Sequence, residues 1–235
     1  MTQWRSPSAR EHCYTPPVLA SALVFDLDGT LVDSQPLIAA TVNRVISARG
    51  YPAVEPLAIY ALVGLPLEDV YRAVLPPDAE DEVLACCADH RALFQAEMVP
   101  LTRPMAGARE TIETLAHGNW RMGVATNRLT STAVAMLETC GMATHFETIR
   151  GVDLVERPKP YPDLLLHTLE QLRISPEDVL VVGDSGADIA MALAAGATVC
   201  AVTWGAQPRE TLLELQPTFC IDSWSELLEL LATGR

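Results

Sequence analysis

Residues 23–30 read Leu23-Val24-Phe25-Asp26-Leu27-Asp28-Gly29-Thr30, a short apolar run that ends in an acidic turn. Comparable runs, each bounded by Gly, Asn or Asp, recur at 122–125, 179–182 and 198–202, with a weaker one at 219–221. Segments with helical spacing lie between the runs, at 108–117, 131–140, 162–172 and 189–195. Short apolar strands that alternate with helices predict an α/β fold, in which a parallel sheet is covered by helices on both faces.

The alternation breaks after the first strand. Every periodic segment between residues 36 and 103 favours helix, and prolines separate the segments, which run at 37–48, 57–62, 67–74 and 80–98. An insert of this length is large enough for a small core of its own. We therefore predict a polar N-terminal tail at 1–20, an α/β core at 21–35 and 104–235, and an all-helical insert at 36–103.

The charge balance excludes several classes of partner. The 235 residues include 30 Asp and Glu against 16 Lys and Arg, for a formal net charge of −14. A field of this sign repels polyanions, so we expect no binding to nucleic acid or to anionic membranes. The N-terminus has no apolar signal segment and no run is long enough to span a bilayer, so we expect a cytoplasmic protein. The six cysteines lack metal-site spacing, and we expect them to be reduced.

Polar residues follow three of the predicted strands, at the edge where parallel sheets bind ligands. Residues i and i+2 of an extended segment point the same way, so Asp26 and Asp28 can share a site. Clustered carboxylates repel one another unless a cation lies among them, and Mg²⁺ suits a small oxygen-ligand site that also binds phosphate. The candidate residues at the three strand ends are Asp26, Asp28, Thr126, Asn127, Asp184, Ser185 and Asp188.

Lys159 is the only lysine of the chain, since the other 15 of the 16 basic residues are arginine. It stands between Pro158 and Pro160, which stiffen the loop around it. A lysine retained in such a loop suggests that a compact ammonium is required, as at a phosphoryl oxygen. Codon bias and a solvated surface position remain alternatives.

The other candidate residues also have ordinary structural interpretations. An isolated Asp-Gly is usually a polar turn after a strand. Thr126 could be the N-cap of the helix that follows it, and Ser185 could cap the next helix along the chain. Capping and anion binding are compatible, because a helix N-terminus presents free N–H groups.

Four motifs, in this order, resemble those of the haloacid dehalogenase superfamily of phosphohydrolases. They are Asp26-Leu27-Asp28-Gly29-Thr30, Thr126-Asn127, Lys159 in its proline setting, and Gly183-Asp184-Ser185 through Asp188. The resemblance implies a Rossmann-like core, and the helical insert stands where this superfamily carries its C1-type cap. Thr203-Trp204-Gly205 and the final strand and helix look most like the phosphoglycolate phosphatase-like branch.

The resemblance also implies a role for each candidate residue. Asp26 would be the nucleophile and form an aspartyl-phosphate, while Asp28 would be the general acid and base, with a carboxyl group poised between protonation states. Mg²⁺ would be held by Asp26, the backbone carbonyl of Asp28, and Asp184. Phosphoryl oxygens would be bound by Thr126, Asn127 and Lys159. Behind these groups, Ser185 and Asp188 would give support, with Asp188 holding metal-bound waters or orienting Lys159.

The implied activity is Mg²⁺-dependent hydrolysis of a small phosphorylated metabolite, with phosphoglycolate as the leading substrate, by a monomer or homodimer. Four alternatives stay open: a sugar-phosphate phosphatase, a pyrophosphatase, a phosphomutase of the β-phosphoglucomutase type, and an inactive binding homologue. Asp28 argues against carbon–halogen hydrolysis, and the lack of lysine at 36–103 argues against a phosphonoacetaldehyde hydrolase. Two arginines of the insert, Arg72 and Arg91, are expected to be solvated rather than to contact substrate.

Overall fold

The computed structural model describes residues 20–232, which form a six-stranded parallel sheet surrounded by helices. The spatial order of the strands is β3-β2-β1-β4-β5-β6. The predicted α/β fold with a Rossmann-like sheet is confirmed. The predicted tail lies, apart from Ala20, outside the described residues. The strands are β1 (Ala22–Phe25), β2 (Arg121–Thr126), β3 (Thr148–Gly151), β4 (Val179–Gly183), β5 (Thr198–Val202) and β6 (Phe219–Ile221).

Ten α-helices connect and cover the strands in the described part of the chain, and none has the length and apolar character to cross a membrane. Short 3₁₀ turns at 77–82, 99–101, 143–145, 152–154 and 176–178, and a π turn at 94–98, complete the connections. The helices are α1 (Gln35–Ser47), α2 (Pro56–Tyr60), α3 (Leu67–Val74), α4 (Val83–Leu93), α5 (Ala108–His117), α6 (Thr130–Thr139), α7 (Asp163–Leu172), α8 (Gly186–Ala195), α9 (Arg209–Glu214) and α10 (Trp224–Ala232).

The central strand explains how the sheet positions a site. All four residues of β1 are buried, and β1 lies between β2 and β4. In this register Phe25 pairs with Val124 of β2 and with Val182 of β4. Leu23 and Phe25 face one apolar core, whereas Ala22 and Val24 face the other. Because all three strands run in the same direction, the residues that follow them meet at one edge.

The insert differs from the sequence prediction in one segment. A single helix was expected at 80–98, but the chain forms a 3₁₀ turn at Pro77–Glu82, then α4, then a π turn at Phe94–Met98. Ala79, next to the expected start, has non-helical φ and ψ of −103° and 23°, and the residues from Pro77 to Glu82 take the tighter 3₁₀ hydrogen-bond pattern. Helix α4 therefore begins only after this turn.

Strand β3 was not predicted from the sequence. It has four residues, Thr-Ile-Arg-Gly, and pairs only with β2, at one edge of the sheet. The two central residues, Ile149 and Arg150, are half-buried. An edge strand lacks the continuous apolar run that marks a strand buried on both faces, so the periodicity does not show it.

The chain crosses between the sheet and the insert at two adjacent places. Val32 forms an isolated antiparallel bridge with Pro104. The N–H of Asp33 donates to the carbonyl of Arg103 at 2.9 Å. The N–H of Met105 donates to Leu31 at the same distance. The two crossings are thus hydrogen-bonded to each other.

Candidate active site

Asp26 is the first residue after β1, and its N–H donates to the carbonyl of Val182 at 2.9 Å. Its carboxylate is nearly buried and accepts a hydrogen bond from Lys159 Nζ to Oδ1 at 2.6 Å. The hydrogen bonds among the described residues leave the second oxygen, Oδ2, without a donor. Asp26 also lines a cavity at this edge of the sheet.

Lys159 joins two of the predicted site residues. Its Nζ lies 2.6 Å from Asp26 Oδ1 and 2.6 Å from Asp188 Oδ1, and the side chain is 2% exposed. Burial alone would lower the pKa of this ammonium, but Asp188 and Asp26 outweigh burial and raise the pKa above its ordinary value. The backbone N–H of Lys159 donates to Asn127 Oδ1 at 2.9 Å, which fixes the loop. Lys159 is therefore a fixed positive charge inside the site.

Ser185 and Asp188 form the N-terminal cap of helix α8. The Ser185 hydroxyl donates to Asp188 Oδ2 at 2.6 Å, and the Ser185 N–H donates to the same oxygen at 3.1 Å. The other oxygen of Asp188 accepts from Lys159. Ser185 therefore caps helix α8, as expected from the sequence, and Asp188 also contacts the site through Lys159. Asp188 thus contacts Lys159 directly, and both roles expected for it stay predictions.

Asp184 follows β4 and is held on both carboxylate oxygens. Thr30 Oγ1 donates to Oδ1 at 2.9 Å, and the N–H of Ala206 donates to Oδ2 at 2.6 Å. Two glycines allow the carboxylate to lie this close to the backbone. A Cβ atom would lie 2.3 Å from Asp184 Oδ2 at Gly29 and 2.1 Å from it at Gly205. Any side chain at these two positions would displace the carboxylate.

Three buried carboxylates lie close together, and two of them, those of Asp26 and Asp188, form ion pairs with Lys159. Asp26, Asp184 and Asp188 can each offer one oxygen such that the three oxygens lie within 4.8 Å of one another. Burial, followed by the charge of Asp188, raises the pKa of Asp184 to about 7. Burial, together with the neighbouring carboxylates, also raises the pKa of Asp26 well above its usual range, against the effect of Lys159. The charge imbalance and the all-oxygen donor set fit a hard divalent cation.

Asp28 is engaged by a residue that the sequence analysis did not single out. Arg128 Nε donates to Asp28 Oδ2 and Arg128 Nη2 to Asp28 Oδ1, both at 2.8 Å. Ser34 Oγ donates to Oδ1 at 2.5 Å. Burial alone would raise the pKa of Asp28, but Arg128 and Ser34 outweigh burial and lower it. In this arrangement Arg128 and Ser34 hold the Asp28 carboxyl in its charged form, and its role as general acid and base stays a prediction.

The second motif connects the sheet with the insert. Thr126 is buried, and its Oγ1 accepts from the N–H of Arg128 at 3.2 Å. Helix α6 begins four residues later, so Thr126 is not its N-cap. Asn127 Nδ2 donates to the carbonyl of Gly64 at 3.0 Å and to the carbonyl of Lys159 at 3.3 Å. Gly64 belongs to the insert, so Asn127 links the insert to the lysine loop.

A cavity of about 90 Å³ lies between the insert and the sheet edge. The core contributes acidic and polar groups to its wall, and the insert contributes mainly apolar ones. Of the two arginines considered above as substrate contacts, Arg91 reaches this wall and pairs with Glu68 at 3.0 Å, whereas Arg72 makes ion pairs on the exposed surface. The polar and charged lining residues are Asp26, Asp28, His90, Arg91, Thr126, Asn127, Arg128 and Thr132.

His90 is a buried histidine on the cavity wall. The Tyr71 hydroxyl lies 3.0 Å from its Nδ1, and Phe94 stacks against its ring. Burial and the nearby Arg128 lower the pKa of His90 to about 3. The imidazole is therefore neutral at neutral pH. It presents an uncharged surface beside the charged groups of the core.

The comparisons with known proteins agree with this geometry. The family model described as haloacid dehalogenase-like hydrolase matches residues 23–202. The chain belongs to this family. A solved structure, a haloacid dehalogenase-like hydrolase from Streptococcus pneumoniae, superposes with a TM-score of 0.82 at 26% identity, covering 89% of this chain and 97% of that one. The predicted superfamily membership is confirmed.

Three curated relatives of this hydrolase are phosphatases or a pyrophosphatase by name. The probable phosphatase IndB of Dickeya dadantii is 32% identical, over 88% of this chain and 91% of its own. A phosphoglycolate phosphatase of Vibrio parahaemolyticus is 31% identical over 90% and 96%, respectively. The pyrophosphatase PpaX of Anoxybacillus flavithermus is 28% identical over 90% and 96%. This hydrolase is accordingly a phosphatase with an acidic cluster suited to a divalent metal.

Proposed function

We propose that this hydrolase cleaves small phosphomonoesters with the help of Mg²⁺, through an aspartyl-phosphate formed on Asp26. The observation that carries the proposal is the position of Asp26. One of its oxygens pairs with Lys159 at 2.6 Å, while the other has no donor among the described residues and the side chain borders the cavity. A carboxylate held on one side and open on the other is suited to attack a phosphoryl group.

The residues that would hold Mg²⁺ are Asp26 and Asp184, together with the backbone carbonyl of Asp28. Asp188 is less available as a ligand, because Lys159 and Ser185 occupy its two oxygens. When bound, the cation would supply positive charge between the nucleophile and the phosphoryl group, which otherwise repel each other. The orientation of Asp184 depends on Thr30 and Ala206.

Lys159 and Thr126 would bind the phosphoryl oxygens. An ammonium has three N–H donors, and Asp26 and Asp188 use two of them, so one N–H remains for a phosphoryl oxygen. Thr126 lies at the end of β2 and lines the cavity, as Asp26 does. Asn127 holds the lysine loop from both sides through its amide. Fixed donors of this kind stabilise charge that develops during phosphoryl transfer.

Asp28 would donate a proton to the leaving oxygen and later accept one from the attacking water. Its two oxygens are held by Arg128 and Ser34, so the ion pair with Arg128 must open before Asp28 acts. Opening is compatible with the position of Arg128, which lies between the core and the Phe94 ring of the insert at 4.1 Å. We propose that the insert, residues 36–103, acts as a cap over the substrate.

The proposed substrate is a small phosphorylated metabolite, with 2-phosphoglycolate as the leading candidate. A cavity of about 90 Å³ is far smaller than the ~300–1,000 Å³ of pockets that hold drug-sized ligands. The relative from Vibrio parahaemolyticus is named a phosphoglycolate phosphatase. Because the protein has a net charge of −14, nucleic acid and anionic membranes are not proposed as partners. The proposed location is the cytoplasm.

The test measures hydrolysis of p-nitrophenyl phosphate with Mg²⁺, with EDTA, and in two variants. Asp26→Asn removes the nucleophile, and Asp33→Asn makes the same change at an exposed carboxylate seven residues away. We expect metal-dependent turnover in the wild type and in Asp33→Asn, and none in Asp26→Asn. Full turnover in Asp26→Asn, or none in the wild type, would contradict the proposal. A panel of phosphomonoesters and pyrophosphate, ranked by kcat/KM, then identifies the substrate.

A further inference from the structure

Arg128 is placed to recognise something other than the phosphoryl group. Its guanidinium lines the cavity, lies 4.1 Å from the centroid of the Phe94 ring, and is fixed in a two-point pair with Asp28. The side chains of Arg128 and Asp28 are each 12% exposed. Among the cavity-lining residues, the other guanidinium belongs to Arg91, which is paired with Glu68.

The pair with Asp28 cannot persist through the proposed reaction. Nε and Nη2 of Arg128 occupy both oxygens of Asp28, and Ser34 adds a further bond to one of them. A carboxylate held in this way has no free oxygen to offer to a leaving group. Once Asp28 turns toward the leaving group, Arg128, whose side chain is only 12% exposed, is left without an anion. A buried charge without a partner is costly, so a replacement for Asp28 is required.

We propose that Arg128 determines specificity by binding a carboxylate of the substrate, which takes the place of Asp28 as its partner. The inference rests on the proposed function and assigns a substrate class to it: small phosphomonoesters that carry a carboxylate close to the phosphate. A planar guanidinium binds a carboxylate through two parallel hydrogen bonds, and Arg128 already forms this arrangement with Asp28. Exchange of one carboxylate for another preserves both bonds.

Two further features favour Arg128 for this role. It lies two residues after Thr126, which is proposed to bind the phosphoryl group, so a group bound by Arg128 lies near the reacting phosphate. The face of Phe94 keeps the guanidinium plane in place while its anionic partner changes. In a cavity of about 90 Å³, only a carboxylate a few bonds from the phosphorus reaches Arg128.

The experiment compares two substrates of similar size, 2-phosphoglycolate and 2-hydroxyethyl phosphate, which differ in the carboxylate. The measured quantity is the ratio of their kcat/KM values. A hydrogen-bonded charge contributes about 1.5–3 kcal/mol, so Arg128→Gln should reduce the ratio roughly 10- to 100-fold. Arg91→Gln tests the other guanidinium of the cavity, and Arg72→Gln removes the same charge from the exposed surface. We expect the ratio in both of these variants to stay near the wild-type value.

Several outcomes would overturn the inference while leaving the proposed function intact. One is an unchanged ratio in Arg128→Gln, which would mean that both substrates are affected equally. Another is a loss of the ratio in Arg91→Gln instead. Pyrophosphate is measured alongside. If Arg128→Gln lowers kcat/KM for pyrophosphate but not for 2-phosphoglycolate, the group that Arg128 binds is a second phosphate and not a carboxylate.

Failure of the proposed function has a different signature. In that case the wild type hydrolyses neither substrate, and calorimetric titration of the wild type with the same two compounds still tests Arg128. Tighter binding of 2-phosphoglycolate that disappears in Arg128→Gln supports the inference. Equal binding of the two compounds by the wild type contradicts it.

Discussion

Lys159 Nζ lies 2.6 Å from Asp26 Oδ1, in an ion pair that is almost closed to solvent. Replacement by arginine keeps the charge but requires room for a planar group where a compact ammonium also contacts Asp188. We expect Lys159→Arg to reduce kcat by about 100-fold or more, the cost of misplacing one preorganised donor. The measurement is steady-state hydrolysis of p-nitrophenyl phosphate. Arg157→Lys, an exchange at a nearby exposed position, is the control and should retain activity. A near-normal kcat in Lys159→Arg would contradict the prediction and would leave codon bias as the explanation of the single lysine.

Gly29 and Gly50 offer a matched pair of substitutions. Their φ angles are +87° and +84°, but a Cβ atom would lie 2.3 Å from Asp184 Oδ2 at Gly29 and in open space at Gly50. Alanine at either site costs about 1–2 kcal/mol of stability through backbone strain. Only Gly29→Ala should also raise the Mg²⁺ concentration needed for half-maximal activity, because only there is Asp184 displaced. Equal metal dependence in the two variants would show that Asp184 is not a ligand.

Asp184→Asn tests the repulsion among the buried carboxylates. Asparagine has the same shape, and its amide can accept from Ala206 while the Thr30 hydroxyl rotates to accept from it. Without metal, removal of one charge from the cluster should raise the Tm of the variant above that of the wild type. With Mg²⁺ the wild type should gain stability by mass action, and the variant should gain little. Thermal unfolding with EDTA and with Mg²⁺ measures both effects.

The control for this prediction is Asp178→Asn, at an exposed carboxylate. It should respond to Mg²⁺ as the wild type does. A Tm of Asp184→Asn below that of the wild type in EDTA would mean that the carboxylates do not destabilise the metal-free fold.

Because His90 is buried, we expect the free energy of unfolding to fall in mild acid. Burial lowers its pKa to about 3 in the folded protein, whereas an unfolded histidine takes up a proton near pH 6.5. Below pH 6.5 the unfolded state therefore binds more protons, and this contribution falls by about 1.4 kcal/mol per pH unit until pH approaches the folded pKa. His90→Asn removes the titration while the Asn oxygen can still accept from the Tyr71 hydroxyl.

Urea unfolding at pH 7.5, 6 and 5 measures this effect. Between pH 7.5 and 5 the wild type should lose about 2 kcal/mol more than His90→Asn. The exposed His117→Asn is the control and should follow the wild type. Parallel pH profiles for the wild type and His90→Asn would contradict the prediction.

Much of the fold could be predicted because the parallel sheet is buried on both faces. β1, β2, β4 and β5 are short apolar runs, and the polar residues that end three of them predicted where a site would form. β3 could not be predicted, because an edge strand with half-buried residues such as Arg150 has no such run. The boundaries within the insert depend on whether each turn takes the α, 3₁₀ or π hydrogen-bond pattern, which the hydrophobic period does not report.

The candidate site, like the fold, could be predicted only in part from the sequence. The register of β1 against β4 brings Asp26 and Asp184 together, as the order of the motifs indicated, although their catalytic roles stay predictions. Arg128 could not be found from the sequence, because it is one of fifteen arginines and its partners, Asp28 and Phe94, are distant along the chain. Its position next to Thr126-Asn127 is the one signal that could have identified it.

The paired chain crossings at Val32–Pro104 and Asp33–Arg103 have a consequence for evolution. Both ends of the insert leave the sheet at one hydrogen-bonded point, and the strands that pair with β1 all lie outside the insert. Insertions or deletions in the exposed connections of the insert therefore leave these hydrogen bonds intact. The chemistry of phosphoryl transfer and the shape of the chamber above it are therefore free to diversify separately.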